Sequence, residues 1–481
     1  MSPLFIILGL TLLIPLVFCF IYSEPIHYYQ AFYIPSFISI SLGIIFYKFR
    51  TRNITLDLTN SMLIVGIAWV VVSLIGGLPF ILGINLDPLN AFFESTSGFT
   101  TTGFTIIQDL SSLPHSLLFW RSFIQWLGGL GILTFFLFIT YRSESQLWQL
   151  FTAESHKIDT TRPVPNVFRS IKILWYIYAL FTLSEIILLI AVRVPFFDSL
   201  IHSLTTLSTA GFSNYDASIG HFAKSGHPYY IAIEYIIILF MLLGGINFLI
   251  HYKVMKGKIK EIFKNFELKY FWGLLIIIFS VIMFGNFLDK TLHFHNIEPV
   301  FRKTLFTVVS ILTTTGFEVE PLTSPFFPAV ARQLFLFLML VGGCVGSTSG
   351  GIKVIRIAIL TKLFNREIKK FYLPKRAVNT IKIENKLISH DEIFKISALF
   401  FLWLVLVLSG GIITSLFSDL NAIESFSGML SAVSNIGPTY FDRELLRTFS
   451  PIIKLTYIFG MIAGRLELLP IFVIFTRKAW K

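Results

Sequence analysis

The sequence predicts an all-α polytopic membrane protein: ten transmembrane helices with four re-entrant pore loops, arranged as four pseudo-symmetric helix-loop-helix units around one pore, plus two N-terminal helices. Composition, run length and repetition each point there. Hydrophobic residues fill 54% of the 481 positions and charged residues only 14%, whereas charged residues make up roughly a quarter of a soluble domain. Ten stretches approach the ~20 apolar residues that a spanning helix needs: 4–22, 32–48, 60–84, 116–140, 172–192, 229–251, 270–288, 329–348 with its continuation, 394–417 and 451–475. Such continuous runs exclude a β-barrel, whose strands alternate over ~10 residues. Between apolar runs, a Thr/Ser-rich segment ending in glycine occurs four times: Thr100-Thr101-Thr102-Gly103, Ser208-Thr209-Ala210-Gly211, Thr313-Thr314-Thr315-Gly316 and Ser434-Asn435-Ile436-Gly437. The spacing of about 110 residues is too long for a solenoid repeat and suits two spans with a re-entrant loop.

Along the chain, residues 1–50 hold the two extra N-terminal helices. The first lacks the basic start and small-residue cleavage site of a secretion signal, so it is kept as a helix, which makes the topology even-numbered. The units follow at 56–142, 168–253, 268–363 and 392–478. Each reads as an outer helix, a short amphipathic stretch (88–98, 196–207, 298–312 and 420–433), the Thr/Gly segment, and a second helix. The short stretches cannot span and are expected to re-enter. Glycines inside the second helices, Gly128, Gly244, Gly342 and Gly460, would allow close helix approach around an axis.

The third unit departs from the others. From Gly342 to Gly351 it holds five glycines and three hydroxyl residues, and each glycine costs ~1 kcal/mol of helix stability relative to alanine. The helix is expected to break there. Irregular backbone at membrane depth is tolerated where it is buried or lines a water-filled cavity. The segment therefore reads as a loop beneath the pore segments that gates the pathway, through Gly342, Gly343, Gly346, Ser347, Gly350 and Gly351; a packing kink is the plainer alternative. A phosphate loop is excluded, because Lys353 lies between Ile352 and Val354 and the required spacing is not met.

A net charge of +12 could suggest nucleic acid, yet its distribution argues for topology. Assigning loops alternately to two sides puts 28 of the 39 Lys and Arg on one side. By the positive-inside rule that side is cytoplasmic, both termini are cytoplasmic, and the four Thr/Gly segments face outward. Only Cys19 and Cys344 are present, both in apolar segments, so no disulfide framework is expected.

An ion entering a narrow pore surrenders its water and needs a ring of oxygens, which backbone carbonyls of four loops supply. Glycine permits the backbone conformation such a loop needs, and small hydroxyl residues pack closely and add oxygens. The expected potassium-binding residues are Thr101, Thr102 and Gly103; Thr209, Ala210 and Gly211; Thr314, Thr315 and Gly316; and Asn435, Ile436 and Gly437. Each loop carries one key glycine where the Thr-Val-Gly-Tyr-Gly filter of tetrameric potassium channels has two, so a shorter filter and weaker discrimination against sodium are expected. Arg465, within the last apolar run, is a costly intramembrane cation that must face protein or water. A pairing with Glu467 is disfavoured, since residues two apart do not share a helix face.

Three segments resemble TrkH-type subunits of bacterial Trk potassium uptake systems, in the superfamily that includes KtrB: Ser97 to Gly103, Gly211 to Gly220, and Gly342 to Arg356. The resemblance covers nearly the whole chain, and the two helices in 4–48 are similar to the TrkH branch. It implies a channel-like subunit of the plasma membrane, potassium as substrate with no covalently bound cofactor, a homodimer, and a cytoplasmic nucleotide-binding regulatory subunit of the TrkA type. It also implies that Arg465 is the pore arginine that acts with the gating loop as an electrostatic barrier. Ala210 stands where a Gly-Gly pair is usual and Thr439 follows Pro438 where Pro-Gly is usual, departures that bear on selectivity.

Glu94, Asp216, Glu318, Glu320 and Asp442 lie near the expected outer mouth, where they could concentrate cations. His293 and His295 are close in sequence but lack further clustered ligands, so no other metal site is read. A secondary transporter with alternating access would show inverted repeats, whereas these repeats run the same way. An intramembrane enzyme would need paired carboxylates or a histidine cluster; Glu185 and Glu234 read as isolated. The cytoplasmic segments contain no dinucleotide fingerprint, so nucleotide control would come from a partner; the basic stretch 364–393 could dock that partner or anionic lipid.

Overall fold

The computed structural model describes residues 2–49, 58–131, 167–289, 297–372, 374, 380–384, 386–474 and 476. The chain is predominantly helical. At the N-terminus, α1 (Ser2–Thr11) and α2 (Leu16–Ile21) form one candidate span interrupted before Pro15, and α3 (Ile26–Lys48) follows. Proline lacks the donor that would continue α1. α1 and α3 run antiparallel, laced by Ser2 donating to the Gly43 carbonyl (2.6 Å), Ser39 to Phe5 (2.6 Å) and Ser36 to Gly9 (2.7 Å). Hydroxyl-to-carbonyl bonds between helices at glycine positions are a device suited to a lipid environment, where close backbone approach replaces hydrophobic association.

The remaining principal helices are α4 (Leu58–Ile84), α5 (Pro88–Phe99), α6 (His115–Gly129), α7 (Val167–Ala191), α8 (Phe196–Leu207), α9 (Tyr230–Gly245), α10 (Phe248–Met255), α11 (Phe266–Leu288), α12 (Ile297–Leu312), α13 (Ala329–Leu340), α14 (Val354–Lys370), α15 (His390–Leu416), α16 (Ala422–Ser434), α17 (Pro451–Arg465) and α18 (Leu469–Ile474). A small antiparallel hairpin, β1 (Lys382–Ile383) and β2 (Lys386–Leu387), precedes α15. Among the described residues, six helices are long and apolar enough to cross a membrane, or seven if the bent pair α9 and α10 is one span. Their outer faces stay apolar: Phe37 on α3, Ile187 on α7, Phe284 on α11 and Phe401 on α15 are exposed. Such extensive exposed apolar surface marks a face that lipid covers, and the chain is a multi-pass membrane protein.

Four of the expected stretches are interrupted, the third as its glycine-dense run predicts. α6 stops at Gly129, α9 stops at Gly245 and turns by 103° into α10, α13 stops at Leu340, and α17 stops at Arg465 before α18. The expected run 116–140 therefore ends early, and its remainder from 132 lies outside the described residues. Sequence composition located only the third break, because that one alone is glycine-dense over ten residues. At α6 and α9 the terminal carbonyls find partners on distant segments, as described below, whereas α17 is closed locally, the Leu468 N–H returning to the Ala463 carbonyl (2.8 Å).

Candidate functional site

The four Thr/Gly segments are built alike. α5, α8, α12 and α16 each end in a residue of left-handed backbone: Thr101 (φ 58°), Thr209 (φ 50°), Thr314 (φ 56°) and Asn435 (φ 54°). The next residue returns its N–H to the carbonyl five positions back, Thr102 to Ser97 (2.9 Å), Ala210 to Thr205 (3.0 Å), Thr315 to Ser310 (2.8 Å) and Ile436 to Ser431 (3.1 Å). This is the Schellman closure of a helix C-terminus, normally made with glycine. The glycines follow two residues later, with φ of 83°, 77°, 79° and 102° at Gly103, Gly211, Gly316 and Gly437. Positive φ is readily available to glycine, so the Thr/Gly pattern encodes one backbone path four times.

These paths meet in a closed ring. A Cβ added to Gly103 would overlap the Ala210 carbonyl oxygen, one on Gly211 that of Thr315, one on Gly316 that of Ile436, and one on Gly437 would lie 2.8 Å from that of Thr102. Each glycine thus faces the residue preceding the glycine of the next segment, in the cyclic order one, two, three, four, one. Cross-links support the ring from behind. Asn435 Nδ2 donates to Thr102 Oγ1 (2.9 Å) and the Met461 carbonyl (2.9 Å). Gln125 Nε2 donates to the Ala210 carbonyl (2.9 Å), and its Oε1 accepts from the Phe212 N–H (3.1 Å). Gln125 was missed in the sequence, although an amide inside an apolar run is the kind of intramembrane polar residue that signals a role.

One face of the ring opens on a vestibule of about 710 Å³ lined by Asp216, Glu318, Glu320 and Asp442, together with Asp109, Glu444, Lys224 and Arg443. Four of the five acids singled out in the sequence meet there. Glu94 does not: it is fully buried behind the first segment, where it accepts from Arg121 Nε (2.9 Å), the Ile106 N–H (2.9 Å) and Thr105 Oγ1 (3.0 Å). Glu318 is ion-paired with Arg443, so its charge is partly offset. Burial raises the Glu320 carboxyl, but hydrogen bonds from Lys303 (2.9 Å) and Ser324 (2.7 Å) outweigh it and hold the group below the usual carboxylate range.

Arg121 also reaches Thr105 Oγ1 (3.0 Å) and the Ser213 carbonyl (3.3 Å), and its guanidinium lies 4.2 Å from the centre of the Phe212 ring. It thereby joins the first segment to the second. An Arg121→Met variant leaves Glu94 buried without its cation, and thermal unfolding in detergent should show a loss of about 3–5 kcal/mol. A second buried pair, Arg302 with Glu234, corrects the reading of Glu234 as isolated; its partner lies on another helix and is invisible to local sequence, and the exposed Glu298 also bonds Arg302 (2.7 Å). Both Glu185 oxygens are buried without a hydrogen bond among the described residues.

The opposite face of the ring is covered by the Gly342–Gly351 segment. Thr348 Oγ1 donates to the Leu207 carbonyl (2.9 Å) and accepts from Thr209 Oγ1 (3.1 Å), while the Gly350 N–H donates to Thr314 Oγ1 (2.7 Å). The Cys344 N–H reaches the Gly245 carbonyl (3.0 Å) and the Phe248 N–H reaches the Gly346 carbonyl (3.1 Å), so this loop partners the break between α9 and α10. Its flanks are joined where the Gly342 N–H donates to the Ile352 carbonyl (2.8 Å). Arg465 lies against it: Nη1 donates to the Thr348 carbonyl (2.8 Å) and Thr101 Oγ1 (3.1 Å), and Nη2 to the carbonyls of Gly129 (2.6 Å) and Gly128. Glu467 pairs with Arg356 instead. A cavity of about 100 Å³ adjoins Arg465, Lys353, Gly129 and Gly350.

The fourth-unit glycine expected to allow close packing, Gly460, does so, and Gly464 one turn on adds the backbone contact. A Cβ on Gly128 would overlap the Phe99 carbonyl, Gly244 sits 3.1 Å by the same construction from that of Leu207, and the corresponding clash in the fourth unit, with Val433, belongs to Gly464. Gly460 packs against Met429 one turn earlier. His293 and His295 lie outside the described residues.

Comparison with known proteins agrees with this architecture. The TrkH family, described as cation transport protein, matches residues 29–480. The chain is 32% identical to the Trk system potassium uptake protein TrkH of Salmonella typhimurium over 98% of its own length and 96% of that protein. The TrkH of Escherichia coli K12 is 31% identical over the same shares. The crystal structure of the potassium transporter TrkH from Vibrio parahaemolyticus superposes with a TM-score of 0.86 at 28% identity, covering 100% of this chain and 99% of that one. The chain belongs to the TrkH family of cation transport proteins.

Proposed function

We propose that this protein takes up potassium across the bacterial cytoplasmic membrane through a channel-like pore, with the ring of four Thr/Gly segments as its selectivity filter. The closed cyclic contact of four identical backbone paths carries this reading. Four helix C-termini, the negative ends of their dipoles, converge on the ring, and carbonyl-rich backbone there can replace a cation's hydration. The acidic excess in the vestibule supports cation attraction, and the relatives' names support potassium. The filter residues are Thr101 to Gly103, Thr209 to Gly211, Thr314 to Gly316 and Asn435 to Gly437. Ten spans and four re-entrant loops, in units at 56–142, 168–253, 268–363 and 392–478 with both termini cytoplasmic, fit this arrangement.

In this reading the Gly342–Gly351 loop and Arg465 obstruct the cytoplasmic side of the filter, and a TrkA-type nucleotide-binding subunit releases them. The protein acts as a homodimer. An intramembrane guanidinium repels an approaching cation, and the loop is held by backbone and hydroxyl hydrogen bonds that can be exchanged. Purified protein in liposomes should pass potassium and rubidium faster than sodium; equal fluxes of all three ions would overturn the filter assignment.

A further inference from the structure

Glu267, in the first turn of α11, is buried, and its Oε1 accepts two backbone N–H groups: Val345 (2.8 Å) and Ile355 (3.2 Å). Val345 lies within the Gly342–Gly351 loop, and Ile355 lies in the first turn of α14, immediately beyond it. The side chain therefore ties the interior of the loop to the helix that follows it, and caps that helix's N-terminus by accepting one of its otherwise unpaired N–H groups.

The same corner is tied to the hairpin. Glu384 Oε1, at the turn between β1 and β2, accepts from the Phe266 N–H (2.9 Å) and from Asn265 Nδ2 (3.3 Å). These are the residues directly before Glu267. From α14, Lys362 donates to the Lys382 carbonyl and lies 4.3 Å from the centre of the Phe266 ring. Hairpin, α11 start, loop and α14 start thus form one continuous set of polar contacts. The hairpin sits in the basic segment exposed on the side of the loop, where an external protein could pull on it.

We infer that Glu267 is a positioning residue that latches the Gly342–Gly351 loop beneath the ring, and that Glu384 transmits displacement of the hairpin to that latch. The inference rests on the gating role proposed for the loop. With Glu267 removed, the loop loses its shared anchor and moves away more readily. Glu384 acts only through the α11 start, so its effect is smaller and vanishes once Glu267 is gone.

The test is potassium and sodium flux through the purified full-length protein in liposomes with no partner added. Glu267→Ala should raise potassium flux roughly tenfold while leaving the potassium-to-sodium ratio unchanged, a combination that general loosening of the fold would not give. Glu267→Gln, whose amide oxygen still accepts both bonds, should raise it less. Glu384→Ala should raise flux severalfold, and the double variant should match Glu267→Ala alone. Wild-type flux in both alanine variants, with Arg465→Ala raised, would overturn the latch while leaving the gating reading intact. Unchanged flux in Arg465→Ala as well would overturn both. Where Glu267→Ala does not fold, Glu384→Ala decides, with wild-type flux overturning the inference.

Discussion

Gly316→Ser protein reconstituted in liposomes should lose at least about tenfold in its preference for potassium over sodium. Gly316 has φ 79°, and a Cβ there would overlap the Ile436 carbonyl oxygen and come within 2.9 Å of the Pro438 ring. The substitution imposes two costs. A left-handed serine is strained by about 1 kcal/mol or more, and the neighbouring segment must retreat by roughly 1.5 Å to restore contact distance. The retreat is the part that reaches the ion, because it displaces the fourth segment from the ring. Gly226 separates the two effects: its φ is 72°, and nothing lies within 4 Å of an added Cβ. Gly226→Ser should carry similar strain without the crowding, and its flux and ion ratio should match wild type. Equal selectivity in Gly316→Ser and wild type would remove the ring from the filter role.

Arg465→Ala should raise potassium flux in the absence of any partner by about tenfold or more. The guanidinium joins α17 to the first Thr/Gly segment through Thr101, to the loop through Thr348, and to the end of α6 through Gly128 and Gly129. Its removal takes away a cation beneath the ring and a tether on the loop together. Arg465→Lys should fall between alanine and wild type, since an ammonium keeps the charge but cannot span carbonyls and hydroxyl in a planar fork. Flux that stays at the wild-type level in both variants would remove Arg465 from the barrier.

Which elements exist was legible in the chain because it depends on local composition. Apolar runs set the long helices, and the Thr/Gly segments encode their own turn. Arg465 stood out because an isolated cation within an apolar run is expensive wherever it lies. What those groups touch was another matter. Glu94 read as a mouth residue, and its burial against Arg121 is set by a contact 27 positions along the chain. Glu234 gained a partner 68 positions away, and Gln125 and Glu267 carried no local mark of the backbone groups they hold.

The breaks in α6 and α9 show the same division. The run Trp126-Leu127-Gly128-Gly129-Leu130 is apolar enough to read as the middle of a span despite its two glycines, and Arg465 and Phe99 pack against its end. The sequence by itself determined that there are four equivalent Thr/Gly turns, since a backbone conformation is a property of a few consecutive residues. Only the tertiary structure decided that those turns close into one ring, with an acidic vestibule on one face and a loop, an arginine and a buried carboxylate on the other. That order comes from contacts between residues far apart in the chain, 36 positions for Gly350 with Thr314, 78 for Val345 with Glu267 and 139 for Thr209 with Thr348, whose pairing no short stretch of chain contains.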